Sequence, residues 1–336
     1  VKLFSGHDAG GCGWYRMILP HRQLAEHGWD VTWANASLET GAGFTSAATR
    51  GNDVIAAQRV DKPGSAHVWR DCRTATSRLV LEQDDNVFSI GMHNWSAYEI
   101  YSRERVRDMV MHAMEVADMV TTTTPALAEV LSEFNQNVRV LPNCIPGWVC
   151  GLSPREHDRP RVGWMGGASH GLDVGVVAEP VRRFLKRHPA WQLSLIGTDY
   201  RPTFELPERR AVFTKWVQVN DDADGYYRLP DFDVGLAPLT PDVFNQSKSP
   251  LKALEYGALG IPVIASDWPP YRDYVRHGET GFLVKRDHEW LHYMSLLAND
   301  EALREKMGAA AREQARQHTI EGNWQAWDEA YRSLFQ

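Results

Sequence analysis

Lysine is scarce in this chain, with eight residues against 28 arginines in a total of 336. Cysteine is scarcer still: Cys12, Cys72, Cys144 and Cys150, with no C-x-x-C pair among them. That spacing excludes a zinc knuckle and a thioredoxin-type motif, and the simplest reading is a reduced, cytoplasmic protein. Long apolar runs are missing as well. None reaches the roughly 18 residues of a membrane span, so no span is expected. The N-terminal "VKLFSGHDAGG" enters a strand and a glycine loop without the features of a signal peptide. Net positive charge is absent too: the formal charge is −7 and the pI is near 6.0. General attraction to nucleic acid or an anionic membrane is thereby excluded, and only a local basic groove is left open.

What is present is an ordinary globular balance, 43% hydrophobic and 24% charged, over a length that suggests two domains. Short apolar runs recur along the whole chain. In the first half they are "VKLFS", "DVTWAN", "DVIAAQRV", "RLVLEQ", "DMVTTT" and "VRVLPN". In the second they are "RVGWMG", "WQLSLIG", "AVFTKWV", "DVGLAPL", "PVIAS" and "GFLVK". Helical periodicity fills the gaps, as in "RERVRDMVMHAMEVA" and "DVGVVAEPVRRFLKRH". Apolar strands alternating with helices predict parallel sheets covered on both faces. In the C-terminal "WQAWDEAYRSLF", Trp324, Trp327 and Tyr331 share one helical face.

The polar stretch from Gly147 to Arg161 reads as a linker. After it the pattern restarts: "RPRVGWMGGASHG" repeats the strand and glycine loop of "VKLFSGHDAGGCG". Two Rossmann-like, doubly wound α/β domains facing a central cleft would bring both loops to one place, because ligands bind at the carboxyl ends of such strands.

The most informative run is "SKSPLKALEYGALGIPVIASD", Ser247 to Asp267. Ser249 and Pro250 read as an N-cap and a first helical residue. A helix start offers unpaired N–H groups and a positive dipole end. Lys248 precedes it and Lys252 lies in its first turn, where a cation opposes the dipole; that local cost is offset if an anion sits among them. Glu255 lies about 9 Å further along the axis, at 1.5 Å per residue. With a diphosphate at the helix start, its carboxylate reaches a nucleotide's ribose hydroxyls. The competing reading is a surface helix with a Lys252–Glu255 pair one turn apart.

This run resembles the nucleotide-sugar segment of GT-B glycosyltransferases, in particular the retaining group often called family 4. The resemblance extends over most of the chain. "GGCGWYRMILPHRQLAEHG" resembles the family's N-terminal loop and helix, "LVLEQDDNVFSI" its acidic segment, and "ADMVTTTTPALAEVL" with "VRVLPNCI" the last strands of its first domain. "VGWMGGASHGLD" and "DFDVGLAPLTPDVFNQSKS" resemble its second domain. Residues 1–150 then form an acceptor-side domain, 151–320 a nucleotide-sugar domain, and 321–336 a helix returning to the first. Many family members carry two glutamates, of which Glu255 matches the second. Ser247 stands at the first, which passes that role to Lys248, Ser249 or the backbone.

The other constellations are read from residue chemistry. Gly11 and Gly13 allow close approach of a phosphate or sugar to the backbone, and Arg16 pairs with phosphate; the alternatives are a plain tight turn and a surface arginine. Asp84 and Asp85, with Glu82, end an apolar strand. They bind acceptor hydroxyls or act as a base, or else cap a turn. Gly166 and Gly167 pass close to the donor. His170, with Asp173 nearby, donates to phosphate or sugar, against the common case of a structural histidine. Asn245 and Gln246 offer neutral amides to sugar hydroxyls. The basic helix face Arg182 to His188 reads as solvated. Trp14, Trp95 and Trp164 are candidates for stacking on a sugar or base, against the common case of core tryptophans.

The resulting expectation is a transferase moving a sugar from a nucleotide-diphosphate sugar, its co-substrate, to an acceptor hydroxyl. Lys248, Lys252, Arg16 and the helix start stabilise the leaving diphosphate. The resemblance implies retention of configuration and no metal or other cofactor. A glycan, a small molecule and a hydroxylated DNA base all stay open as acceptors, with the acidic charge leaning against DNA. A GT-B nucleotide-sugar 2-epimerase and a non-catalytic sugar-nucleotide-binding protein are the rivals.

Overall fold

All twelve apolar runs form strands, and every pairing between them is parallel. The computed structural model describes residues 1–7, 10–35, 51–61, 65–220, 222 and 225–336. Residues 8 and 9 of the first glycine loop lie outside these. The chain divides into two units. One comprises Val1–Cys144, Ser247–Ser249 and Ile320–Gln336; the other comprises Ile145–Gln246 and Pro250–Thr319. The stretch read as a linker belongs to the second. It begins with a short 3-10 helix, Gly147–Gly151, that buries Val149 and Cys150.

The first unit holds β1 (Lys2–His7), β2 (Asp30–Asn35), β3 (Val54–Gln58), β4 (Arg78–Glu82), β5 (Met119–Thr122) and β6 (Val138–Val140), in the order β2-β1-β3-β4-β5-β6. Every residue of β3 and β5 is buried, which is why these runs are apolar throughout rather than alternating. The order reverses between β1 and β3. Such a reversal opens a crevice at the carboxyl edge of the sheet.

After β1 the chain is helical from Gly11 to Glu26, with a π-helical segment at Trp14–Ile18. Pro20 accounts for it. Proline has no N–H to give to the carbonyl four residues back, and its ring crowds that carbonyl. The ladder therefore widens, and Leu19 N–H bonds to Trp14 O, five residues back.

The C-terminal segment is tied into the first unit by side chains. Trp29 Nε1 donates to Asp328 Oδ1 (2.7 Å), Arg78 Nε donates to Leu334 O (3.2 Å), and His27 stacks on Trp324 at 3.8 Å. His21 is fully buried, with Nδ1 2.7 Å from Ser5 Oγ and Nε2 2.9 Å from Tyr331 Oη. Burial, with His7 and Arg16 adding repulsion, pushes its pKa down to about 3. The unfolded chain takes a proton near the ordinary value of about 6.5, and the folded chain does not. Stability is therefore expected to fall as pH drops from about 6.5 towards 3, by up to about 1.4 kcal/mol per pH unit from this group. Urea melts of the parent and His21→Gln across that window check it; the variant's curve should be the flatter.

The second unit holds β7 (Arg161–Gly166), β8 (Gln192–Gly197), β9 (Ala211–Lys215), β10 (Val234–Ala237), β11 (Val263–Ser266) and β12 (Gly281–Val284), in the order β12-β11-β10-β7-β8-β9. Its core packs Trp164, Val181, Phe184, Leu195 and Leu236 between sheet and helices. Here the order reverses between β7 and β10. The expected helix after β7 is broken at Val177 into Gly171–Val176 and Ala178–Arg187. Among the described residues, no helix is long and apolar enough to cross a membrane.

Candidate functional site

In the first unit, charged side chains collect at the carboxyl ends of β3 and β4, beside Cys12 in the helical run that follows β1. Arg59, the residue after β3, has φ +52°, a left-handed conformation uncommon for a residue with a side chain. Its guanidinium forks onto Asp84, with Nε and Nη2 both 3.1 Å from Oδ1, reaches Asp85 Oδ2 at 3.4 Å, and donates to Cys12 Sγ at 3.0 Å. Burial alone would raise the Asp84 carboxyl. Arg59, the hydrogen bond from Cys12 and the nearby Arg16 charge together outweigh it and hold Asp84 below the usual range. Burial and Asp84 push the Cys12 thiol well up, so it is a protonated neighbour and not a nucleophile. Lys248 Nζ lies 3.9 Å from Asp85 Oδ1. Three candidates from the sequence, Asp84, Asp85 and Lys248, thus lie together in the first unit, a grouping the sequence did not predict, and Arg59 is the member that sequence reading missed.

Arg16 is a correction. It is 1% exposed. Nε and Nη2 pair with Glu82 at 2.7 and 3.1 Å, Nη2 also donates to Thr122 O, and Nη1 donates to Leu141 O and to Asn143 Oδ1. All five N–H donors are used inside the unit, so none is left for a phosphate. Thr121 Oγ1 donates to the same Glu82 carboxylate. Gly11 opens the helical run and Gly13 is buried within it.

The proposed N-cap is also corrected. The helix is Leu251–Ala258, with Pro250 at its cap and no side-chain cap bond. Ser249 Oγ instead accepts from Asn143 Nδ2 at 2.8 Å, and Ser247 O accepts from Thr124 Oγ1 at 2.9 Å. Ser247, 4% exposed, therefore contributes a backbone carbonyl to the first unit. Lys248 belongs to the first unit and Lys252 to the second.

In the second unit the chain leaves β7 through Gly166 and Gly167. A Cβ on Gly166 would lie 2.5 Å from the Trp164 ring and 3.1 Å from Lys252 Nζ, whereas one on Gly167 would meet open space. Gly166 is thus required for close packing, and Gly167 leaves its backbone exposed. Tyr200 Oη donates to Ala168 O at 2.9 Å and steadies this loop. His170 follows. Its Nδ1 lies 2.8 Å from Asp173 Oδ2, and its Nε2 lies 3.4 Å from Lys252 Nζ. The lysine ammonium sits 5.5 Å from the centroid of the Trp164 ring.

Asp173 is buried and accepts, on Oδ1, from Thr240 N and Oγ1 (both 2.8 Å) and from Asn245 Nδ2 (2.9 Å). Burial opposes its charge, but the bonds from His170 and Thr240 hold the carboxyl below its ordinary range. Asn245, expected to face sugar hydroxyls, spends its amide here, on Asp173 and Thr240. Glu255 is 7% exposed and accepts from Tyr226 Oη at 2.9 Å. Thr240 and Tyr226 were not singled out from sequence, because neither residue type nor spacing marks them.

Residues 159–300, which fall in the second unit apart from Ser247–Ser249, match the family model described as Glycosyl transferases group 1. Over the whole chain the fold is similar to that of sucrose-phosphate synthase from Thermosynechococcus elongatus, at 20% identity, a TM-score of 0.70, and 99% of this chain and 98% of that one covered. It is also similar to Anabaena HepE in complex with UDP and glucose, at 15% identity, TM-score 0.68, and 99% of each chain covered. A glycosyltransferase from Rickettsia africae is similar at 11% identity, TM-score 0.63, with 100% of this chain and 98% of that one covered. No curated protein matches the chain in sequence. At these identities the likeness is one of fold: two parallel six-stranded α/β units, the GT-B architecture.

Proposed function

We propose that this protein is a glycosyltransferase that takes a sugar from a nucleotide-diphosphate donor and passes it to an acceptor hydroxyl. The observation that carries the reading is the position of Lys252. Its ammonium lies by His170 Nε2 and the Trp164 face, beside Gly166 at the carboxyl end of β7, where the exposed Gly167 follows. A compact cation beside a glycine loop, at the point where strand order reverses, suits a diphosphate. Glu255, its rotamer set by Tyr226, receives the ribose. Asp84 and Asp85, with Lys248, take the acceptor side, where Asp85 serves to orient a hydroxyl. Charge on the departing diphosphate grows in the transition state, and Lys252 is the group aimed at it. Retention of configuration is part of the proposal through the family likeness.

Calorimetry with a panel of nucleoside diphosphates tests the donor site. Glu255→Gln keeps the acceptor for Tyr226 but loses the charge. A charge-assisted hydrogen bond is worth about 1.5–3 kcal/mol, so affinity is expected to fall at least about tenfold while the thermal melt is little changed. Unaltered affinity would remove Glu255 from the site.

The reaction is proposed to need no metal, since Arg59 already occupies Asp84 and lysine supplies the positive charge at the diphosphate. Turnover is therefore expected to persist in EDTA, measured by sugar transfer or donor hydrolysis. Loss of activity restored by Mn²⁺ or Mg²⁺ would assign Asp84 and Asp85 as ligands instead.

A further inference from the structure

We infer that Asp173 is a positioning residue that acts through His170 to hold the Lys252 ammonium in place for an incoming diphosphate; this rests on the donor-site reading above. The geometry is a relay of three side chains. Asp173 Oδ2 is 2.8 Å from His170 Nδ1, and a carboxylate can only accept there, so Nδ1 carries the proton. The opposite nitrogen, Nε2, then presents a lone pair to Lys252 Nζ at 3.4 Å, and the ammonium donates to it. The tautomer is thus set by the carboxylate, as a carboxylate sets the ring of a metal-bound histidine from behind.

Asp173 is itself immobilised. Its second oxygen takes three hydrogen bonds, two from Thr240 and one from Asn245. Thr240 lies just beyond β10 and His170 just beyond β7, the two strands between which the sheet order reverses. One buried carboxylate therefore ties together the two loops that border this crevice and aims the histidine from there. The Trp164 ring, edge-on to His170 with centroids 5.9 Å apart, closes the other side. With imidazole and lysine set before the ligand arrives, little reorganisation is left for binding.

Asp173→Asn is nearly isosteric but reverses the logic. The new amide can donate to Nδ1, which moves the ring proton to Nε2 and turns it towards the ammonium. Two readouts on the full chain test this. Nitrogen-15 NMR of labelled histidines should show His170 protonated at Nδ1 in the parent and at Nε2 in Asp173→Asn. Calorimetry with UDP, GDP, ADP, CDP and dTDP should show the best of these bound about tenfold more weakly by Asp173→Asn. In a His170→Ala background the same substitution should then cost nothing further.

A cost that persists in the His170→Ala background would make Asp173 a brace for the Thr240 loop and overturn the inference. An Nε2-protonated His170 in the parent, or parent-like affinity of Asp173→Asn, would overturn it as well, with the donor site left standing. Failure of the parent to bind any of the five nucleotides would overturn the donor-site reading, and the inference with it.

Discussion

Arg16→Met is expected to cost roughly 3–5 kcal/mol of stability, the penalty for breaking a buried ion pair and stranding one partner. The guanidinium satisfies the Glu82 carboxylate twice and also binds the carbonyls of Leu141 and Thr122 and the amide oxygen of Asn143. Without it, Glu82 is a buried carboxyl that still accepts from Thr121, already pushed above the usual range by burial. Net stabilities are only about 5–15 kcal/mol, so the first unit should melt many degrees lower. Glu82→Gln in the same chain should recover part of the loss, because a neutral amide is cheaper to leave poorly partnered than a charge. Thermal melts of the parent, the single variant and the double variant decide it. A parent-like melt for Arg16→Met would return the arginine to the solvated or ligand-facing role expected from its sequence position.

Lys252→Ala is expected to lower turnover more than tenfold, with Lys252→Arg failing to restore it. A charged hydrogen bond to phosphate contributes about 1.5–3 kcal/mol, and each 1.36 kcal/mol is about a factor of ten in rate. The loss should fall mainly on kcat, because the interaction strengthens as the diphosphate departs. Arginine fails for a geometric reason. The ammonium sits where a Cβ on Gly166 would be 3.1 Å away, with His170 on one side and the Trp164 ring on another, and a planar guanidinium is wider than the point charge it replaces. Steady-state kinetics with the cognate donor measure this. Parent-like kinetics in Lys252→Ala would leave the lysine as a packing residue over Trp164 and withdraw the anion site.

Much of the architecture was legible because it is written locally. The run "DVIAAQRV" announces β3 by its own apolar residues, and "DMVTTT" does the same for β5; neither needs information from elsewhere in the chain. The glycine loop after β7 is equally local, since Gly166 and Gly167 follow a buried strand directly. Helix ends were less legible. Ser-Pro before "LKALEYGA" has the composition of a cap, yet the serine hydroxyl is taken by Asn143, 106 residues away. A cap argument sees only the competition among neighbouring N–H groups.

The periodicity of apolar residues by itself determined twelve parallel strands in two sheets, and with them the carboxyl edges where a ligand site belongs, because strand formation and burial follow from contiguous residue types. Tertiary structure alone decided which polar side chains stand free to act there. Arg16 reads as a phosphate-pairing or surface cation until Glu82, 66 residues on, is brought beneath it. Arg59 reads as the end of a strand until Asp84 and Asp85 meet it at the sheet edge. His170 reads as a lone histidine until Asp173 and Lys252 take its two nitrogens. The physical reason is the same in each case. A backbone hydrogen-bond pattern is set by short-range geometry, whereas the charge, tautomer and availability of a side chain depend on partners that only the folded chain brings within about 3 Å.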